Sequence, residues 1–355
     1  MGKFTFHIVS LPHTQTTKEY NQCAYTQKVR KFCNMMKSLG HTVNLYASED
    51  NEAACDELIT CITKKEQEKF LGKEEWFQTK QFYKVPYDET LPFWDLFNTR
   101  VIAEIKKRVK KNDIVCIITG QTQQKIYRAF PFFTVEFGIG YSGVIAKYKV
   151  FESYAWMHYV YGKLNYTTDR IWETVIPNSF EINDFPYEGE KKDYLLFMSR
   201  PIKQKGIDIA INIAKKTGKK LIIAGAEEVK GENIEWVGYA DTKKRGELMS
   251  KARALLCPTM YVGPFEGVVV EAQLCGTPVI TTAWGCFVEN VKQGVSGFRC
   301  HTLEEFVQAV EDVSKLNSWD IRVFASQYSV HTVADLYQKY FERISKPIEQ
   351  TWRLM

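Results

Sequence analysis

The chain has 355 residues, 45% of them apolar and 25% charged, and Lys+Arg exceed Asp+Glu by 47 to 42 for a net charge of +5. This is an ordinary globular balance over two to three domain lengths, and it excludes disorder, collagen and a disulfide miniprotein. So small a positive surplus does not argue for a nucleic-acid binder, and it suits a local basic pocket for an anionic ligand.

Strand and helix patterns alternate from the start. Phe4–Val9 is a short β-branched run. Tyr25, Val29, Phe32, Met36 and Leu39 follow at helical spacing, with Gly40 as the stop. His41–Ala47 reads as a strand. Thr63–Tyr83 is charged and aperiodic and reads as a surface excursion. Asp95–Lys111 reads as a helix, Asp113–Thr119 and Phe132–Phe137 as strands, Lys149–Gly162 as an aromatic-rich helix, and Glu173–Ile176 as a closing strand. Asn183–Asp193, with Asp184, Pro186 and Gly189, has the composition of a linker.

A second alternation follows. Strands are expected at Tyr194–Ser199, Lys220–Ala224, Ile234–Val237, Ala254–Cys257 and Pro278–Thr281, and helices through Ile207–Ala214, Thr242–Lys251 and Gly267–Cys275. Thr302 with Glu305 forms a capping box, and Val333–Ile344 carries a final amphipathic pattern. Two βαβ series imply an α/β chain with two Rossmann-like, doubly wound parallel sheets, ligands lying outside the strands' carboxyl ends and the natural site in the cleft between domains. The expected divisions are 1–182, a linker 183–193, a second domain 194–329, and a final helical segment 330–355.

The nine cysteines include no C-x-x-C pair and sit largely in apolar runs, as buried thiols of a reducing compartment do. The six histidines form no H-x-x-x-H, no D-x-D occurs, and no metal is expected. No run approaches the roughly 18 apolar residues of a membrane span, and no secretory leader is evident, so a cytoplasmic protein is expected.

Two segments carry chemistry. In Ser199–Gly206, Arg200 and Lys205 flank the loop after a strand, where a guanidinium fork and an ammonium can converge on one anion; a solvated basic turn is the plain alternative. In Thr259–Ala272, a strand is followed by a loop and a helix. Backbone N–H groups around Glu266, Gly267 and Val268 would be free for a diphosphate, and Glu271 stands in an apolar run where a carboxylate needs partners such as a ribose diol. A neighbouring Lys or the backbone is the plain alternative as partner of Glu271.

Together these segments resemble the donor-binding half of retaining glycosyltransferases of family 4, which have the GT-B fold. The resemblance rests on Arg200, Lys205-Gly206, Gly238 after Trp236-Val237, Glu271, Cys275-Gly276-Thr277-Pro278-Val279, Glu289, Gly294 and Gly297, and is dense across Tyr194–Thr302. Leu11–Lys18 looks like the first loop of one subfamily. Algal large DNA viruses encode enzymes of this general kind.

The resemblance implies transfer of a sugar from a nucleoside diphosphate, with GDP-mannose first and UDP-glucose or UDP-N-acetylglucosamine also in view, to a hydroxyl on a glycan or glycoprotein. No cofactor is implied, a homo-oligomer is compatible with it, and in the fold it resembles the last helix, here 330–355, crosses back onto the first domain. Arg200 and Lys205 would stabilise the leaving diphosphate without a metal, Glu271 would hold the ribose, and Phe265, Gly267, Val268, Gly238 and Tyr239 would line the donor site. His13, Glu136 and Gly138 would face the acceptor. The family's Glu-Pro-Phe-Gly is here Gly263-Pro264-Phe265-Glu266, so the usual sugar-contacting glutamate is missing and Glu266 is the candidate substitute.

Three rivals remain at this level. A nucleotide-sugar-binding protein without turnover is one, and an epimerase or phosphorylase on the same fold is another. The third is a dehydrogenase, because Gly138-Ile139-Gly140-Tyr141-Ser142-Gly143 matches G-x-G-x-x-G; the match falls mid-domain rather than after a first strand.

Overall fold

The computed structural model describes residues 2–72, 85–168 and 170–346. It separates into two compact units, one of Met1–Glu152, Asn165–Pro177 and the chain from Val330 on, the other of Ser153–Leu164 and Asn178–Ser329.

The first unit opens with β1 (Thr5–Val9), α1 (Ala24–Ser38) and β2 (Thr42–Ser48), then β3 (Glu57–Ile62), α2 (Lys64–Leu71), α3 (Pro92–Lys106) and β4 (Ile114–Ile117). It continues through α4 (Gln124–Ala129), β5 (Thr134–Ile139) and β6 (Tyr148–Phe151). After α5 (Tyr154–Lys163), which belongs to the second unit, it takes up β7 (Glu173–Val175). Its seven strands are all parallel, in the order β3-β2-β1-β4-β5-β6-β7. β1, β4 and β5 are buried along nearly their whole length because both faces are covered.

The second unit runs β8 (Tyr194–Met198), α6 (Ile207–Thr217), β9 (Lys220–Ala224), β10 (Ile234–Trp236), α7 (Thr242–Lys251) and β11 (Ala254–Cys257). There follow α8 (Gly267–Leu274), β12 (Val279–Thr282), α9 (Phe287–Asn290), β13 (Gly297–Cys300), α10 (Leu303–Asp312) and α11 (Ser318–Ala325). The sheet is parallel, in the order β10-β9-β8-β11-β12-β13. One apolar cluster holds α6 and α10 on one face, and another holds α7 and α8 on the other. The strand order reverses between β8 and β11, so the loops leaving those two strands diverge to opposite faces and open a crevice at their carboxyl ends. Arg200, Lys205 and the segment from Thr259 lie on those two loops.

The final helix, α12 (Val330–Ile344), puts Val333, Ala334, Tyr337, Tyr340 and Phe341 into the first unit's core, where the Tyr340 hydroxyl donates to Trp172 O at 2.8 Å.

Several expectations change. Lys149–Gly162 is not one helix: β6 fills its first turn, and Ser153 caps α5 by accepting from Trp156 N. The excursion from Thr63 begins as α2, built on a Thr63/Glu66 capping box, while residues 73–83 lie outside the described residues. The first unit gives way at Pro177 rather than at 182. Phe180 N donates to Tyr328 O at 2.9 Å, and the Phe180 ring stacks on Phe265. The stretch read as a linker is docked on the second unit: half-buried Lys191 donates to the carbonyls of Glu188, Ser250 and Cys275, and desolvation draws its pKa down to about 8. None of the nine cysteines is disulfide-bonded, and all but the half-buried Cys55 are buried.

Candidate functional site

Two loops meet at the carboxyl ends of β8 and β11. The first runs from Ser199 to Gly206. It folds on itself through Ile202 N to Arg200 O at 2.8 Å and Lys205 N to Ile202 O at 2.9 Å, and ends at Gly206 with φ +76°. A Cβ on Gly206 would lie 2.9 Å from Pro258 C and Cγ, so glycine is what lets the β8 loop lie against the end of β11. Met260 N donates to Gln204 O at 2.9 Å and ties the loops together. Arg200 is exposed.

Lys205 is the centre of this arrangement. Its ammonium donates to both oxygens of Glu266, at 2.6 and 2.8 Å, and stands 4.9 Å from the centroid of the Tyr261 ring. The side chains of Lys205 and Glu266 are only 12% and 8% exposed. Burial opposes the ammonium charge, but the Glu266 carboxylate outweighs it and holds the Lys205 pKa above its ordinary value.

Glu266 is the N-cap of α8 and adopts a left-handed backbone, φ +55°. That conformation costs a non-glycine residue on the order of 1–2 kcal/mol. Its side chain makes no capping bond and reaches Lys205 instead. Beyond it, the first N–H groups of α8, from Gly267 and Val268, have no carbonyl within the helix to meet. Phe265, expected to line the donor site, is a core side chain, 4% exposed among Phe180, Val270, Leu274, Ala325 and Tyr328. Only its backbone faces the loop, and its carbonyl accepts from Asn290 Nδ2 at 2.6 Å. Gly267 has ordinary contact room beside Phe180, and Val268 packs against the α7–α8 face of the sheet.

Glu271 is held by Arg245 of α7. The sequence signalled nothing special about Arg245; it reads as one of several cations along Thr242–Lys251. Gly238 has φ +72°, and its carbonyl accepts from Gly225 N at 3.0 Å, while Trp236 Nε1 donates to Gly225 O at 3.0 Å. A Cβ on Gly225 would stand 2.6 Å from Ser199 O. Gly225, which the sequence reading passed over, therefore lets the Gly238–Tyr239 turn approach the Arg200 loop. Glu289 accepts from Tyr154 N and Ala155 N, both at 2.9 Å, and so anchors the start of α5.

The first unit holds the other three candidates. His13 follows β1 and is 5% exposed, with Nε2 3.7 Å from Cys23 Sγ and its ring against Tyr87 and Trp94. Its Nδ1 has no partner among the described residues, and burial lowers its pKa to about 3. Glu136, expected to face an acceptor, is fully buried in β5. It accepts from the Tyr141 hydroxyl, Ile145 N and Ala146 N, each at 2.9 Å, and burial raises its pKa. It organises the loop after β5 from inside, because burying a carboxylate demands that several donors converge on it.

Gly138 has φ +59°, and its carbonyl accepts from Lys28 Nζ at 3.2 Å; Lys28 is in turn paired with Glu152. A Cβ on Gly140 would stand 2.9 Å from Glu152 Oε1. Gly138 and Gly140 thus make room for the Lys28–Glu152 ion pair, while Gly143 lies beside Gln121; the run begins within the fifth strand and does not follow β1, which removes the structural setting of a dinucleotide fingerprint. Among the described residues no three His, Cys, Asp or Glu side chains gather as a metal site, and no helix is long and apolar enough to cross a membrane.

Residues 192–315 match the family model described as "Glycosyl transferases group 1". An uncharacterized glycosyltransferase of Methanocaldococcus jannaschii is 26% identical over 216 residues, 54% of this chain and 54% of its own length. The chain spans about half the length, or less, of the curated relatives it matches. Among solved structures, a glycosyltransferase involved in avilamycin A biosynthesis superposes with TM-score 0.66 at 18% identity, covering 96% of this chain and 98% of that one. HepE of Anabaena, in complex with UDP and glucose, gives 0.63 at 14%, covering 96% and 99%. The two Rossmann-like parallel-sheet units share the fold of GT-B glycosyltransferase structures.

Proposed function

We propose that the chain is a retaining glycosyltransferase that moves a hexose from a nucleoside-diphosphate sugar to a hydroxyl of a glycan or glycoprotein. The observation that carries the reading is the meeting of Lys205 with the N-terminus of α8 on two hydrogen-bonded loops at the β8–β11 reversal, inside the segment that matches the group 1 model. Lys205, Arg200 and the first amides of α8 take the diphosphate. They stabilise the charge that develops on it as the glycosidic bond breaks, with no metal required. Glu271, oriented by Arg245, takes the ribose hydroxyls, and the Gly238–Tyr239 turn lies beside the base. The acceptor falls to the first unit. Its His13 is neutral at pH 7 and its Glu136 acts through the loop it organises.

In this reading Glu266 replaces the family's missing glutamate and contacts the donor sugar. GDP-mannose is the first expectation; UDP-glucose, the pair of moieties found with the Anabaena structure, and UDP-N-acetylglucosamine complete the panel. Calorimetry against the three donors, followed by product analysis with acceptor, tests the proposal; absence of binding to every nucleoside diphosphate rejects it. One observation favours a second reading, binding without turnover. Glu266 neutralises the cation that should meet the leaving group. A donor that binds but is not consumed across a broad acceptor panel would select that reading.

A further inference from the structure

The second unit has another concavity, of about 710 Å³, at the opposite end of its sheet. Its wall is made by the residues that lead into the strands: Lys192 and Asp193 before β8, Lys219 before β9, Arg253 before β11 and Gly276 with Pro278 before β12. The loops of Arg200, Lys205 and Glu266 leave the other ends of these strands, so this pocket shares no residue with the diphosphate site. Its volume falls within the range of small-molecule sites.

Four cations line it, Lys191, Lys192, Lys219 and Arg253, against one carboxylate, Asp193, which bridges Lys219 at 2.9 Å and Arg253 at 3.2 Å. The surplus of positive charge is spread over the entries to β9, β8 and β11, which are neighbours in the sheet. Asp193 brings the Lys219 and Arg253 charges together on one carboxylate, Arg253 also stands 3.5 Å from Glu311, and exposed Lys192 adds positive charge in the same pocket. A ligand that carries more than one anionic group can meet this cluster and Lys192 together. At one side Tyr187 and Trp319 meet edge to face, 5.4 Å between centroids, and both are exposed, 39% and 56%. The Arg322 guanidinium lies 5.7 Å from the Tyr187 ring and is itself fixed by the carbonyls of Ile182, Phe185 and Leu274. Gly276, at φ +72°, leaves the space for this platform, since a Cβ there would stand 2.7 Å from the Tyr187 ring. Rings set nearly perpendicular form no parallel slot for a nucleobase, while exposed aromatic surface of this kind suits the C–H face of a sugar ring.

We propose that this pocket is a second carbohydrate site, specific for an acidic oligosaccharide, with Trp319 and Tyr187 stacking on its rings and Lys192, Lys219 and Arg253 meeting its carboxylate, sulfate or phosphate groups. It does not depend on the transferase reading.

The probe is tetragalacturonate, with neutral maltotetraose and adenosine monophosphate as comparison ligands, titrated calorimetrically at low salt. Tetragalacturonate should bind with roughly millimolar affinity or better, weakening as salt screens the cations, and maltotetraose should not bind. Because Lys192 and Trp319 are exposed, Lys192→Glu and Trp319→Ala should fold normally and each reduce affinity about tenfold, while Arg200→Ala should leave it unchanged. The proposal is overturned if tetragalacturonate does not bind, if neither pocket variant weakens it, if maltotetraose binds equally, or if adenosine monophosphate displaces it. Loss of nucleotide-sugar binding in Arg200→Ala with tetragalacturonate binding retained would keep the two sites' fates separate.

Discussion

The carboxylate of Glu266 occupies the space into which a side chain at Gly263 would grow: a Cβ on Gly263 would lie 2.6 Å from Glu266 Oε1 and 2.9 Å from its Cγ. Relative to the Glu-Pro-Phe-Gly pattern, the acid has moved three residues along the chain and returned to nearly the same place. The left-handed backbone at Glu266 is the conformation that the pattern's glycine would adopt without strain. A side chain at 263 therefore requires the Glu266 carboxylate to move from its present place beside Lys205.

Swapping the two residues tests this equivalence. Glu266→Ala should lower transfer at least tenfold while free nucleoside diphosphate binds as well as before or more tightly, because Lys205 loses its competing anion. Gly263→Glu alone should perturb the Lys205–Glu266 pair, whereas Gly263→Glu with Glu266→Gly should recover transfer. Wild-type turnover in Glu266→Ala would reject the sugar-contact role.

Arg200→Ala and Lys205→Ala should both weaken binding of donor and free diphosphate, by about 10- to 150-fold, since a charge-assisted hydrogen bond contributes roughly 1.5–3 kcal/mol. Lys205→Ala should be the worse of the two, because it also leaves the nearly buried Glu266 carboxylate facing the diphosphate unopposed. Equal affinity in wild type and both variants, measured calorimetrically, would dismiss the phosphate loop.

Transfer should continue undiminished in excess EDTA. In the proposed mechanism the cations and the α8 amides stabilise the leaving diphosphate, so no metal is called for. Loss of activity in EDTA with recovery on adding magnesium or manganese would refute it.

His13 makes stability depend on pH. Burial puts its folded-state pKa near 3, against about 6.5 for the unfolded chain, so the unfolded state binds the proton first. Its contribution is intact above pH 6.5 and is lost as pH falls from there toward 3. Between pH 7 and 5 this amounts to about 2 kcal/mol. Urea unfolding of His13→Gln should show a correspondingly shallower loss over that interval; an identical slope would mean that His13 is not buried as a neutral ring.

Most of the second unit was readable from sequence because its elements are short, clean and punctuated. Lys220–Ala224 and Thr242–Lys251 fall where their apolar and capping patterns put them. What escaped was local in one way or long-range in another. β3 is an edge strand whose exposed Glu57 and Thr60 interrupt its apolar pattern, and β6 hides in an aromatic run that suits helix or strand. The side-chain partners at the site were illegible for a different reason. Lys205 meets Glu266 across 61 positions, and Glu271 meets Arg245 across 26, distances over which periodicity carries no information. Glu136 was located correctly in a strand next to a glycine-rich loop. Only the three donors that converge on it show that it faces inward.

The position of α12 has a consequence for how the chain comes into being. On a ribosome the second sheet and its helices are complete before Val330 emerges, but the first sheet, made earliest, still lacks the helix that supplies Tyr337 and Phe341 to its core. The unit synthesised first should therefore mature last, with the apolar face around Phe6 and Phe32 open throughout translation. Nascent chains arrested before that helix should then be protease-resistant through Ser153–Leu164 and from about residue 178 onward and sensitive before residue 153, reversing the order in which the two halves are made.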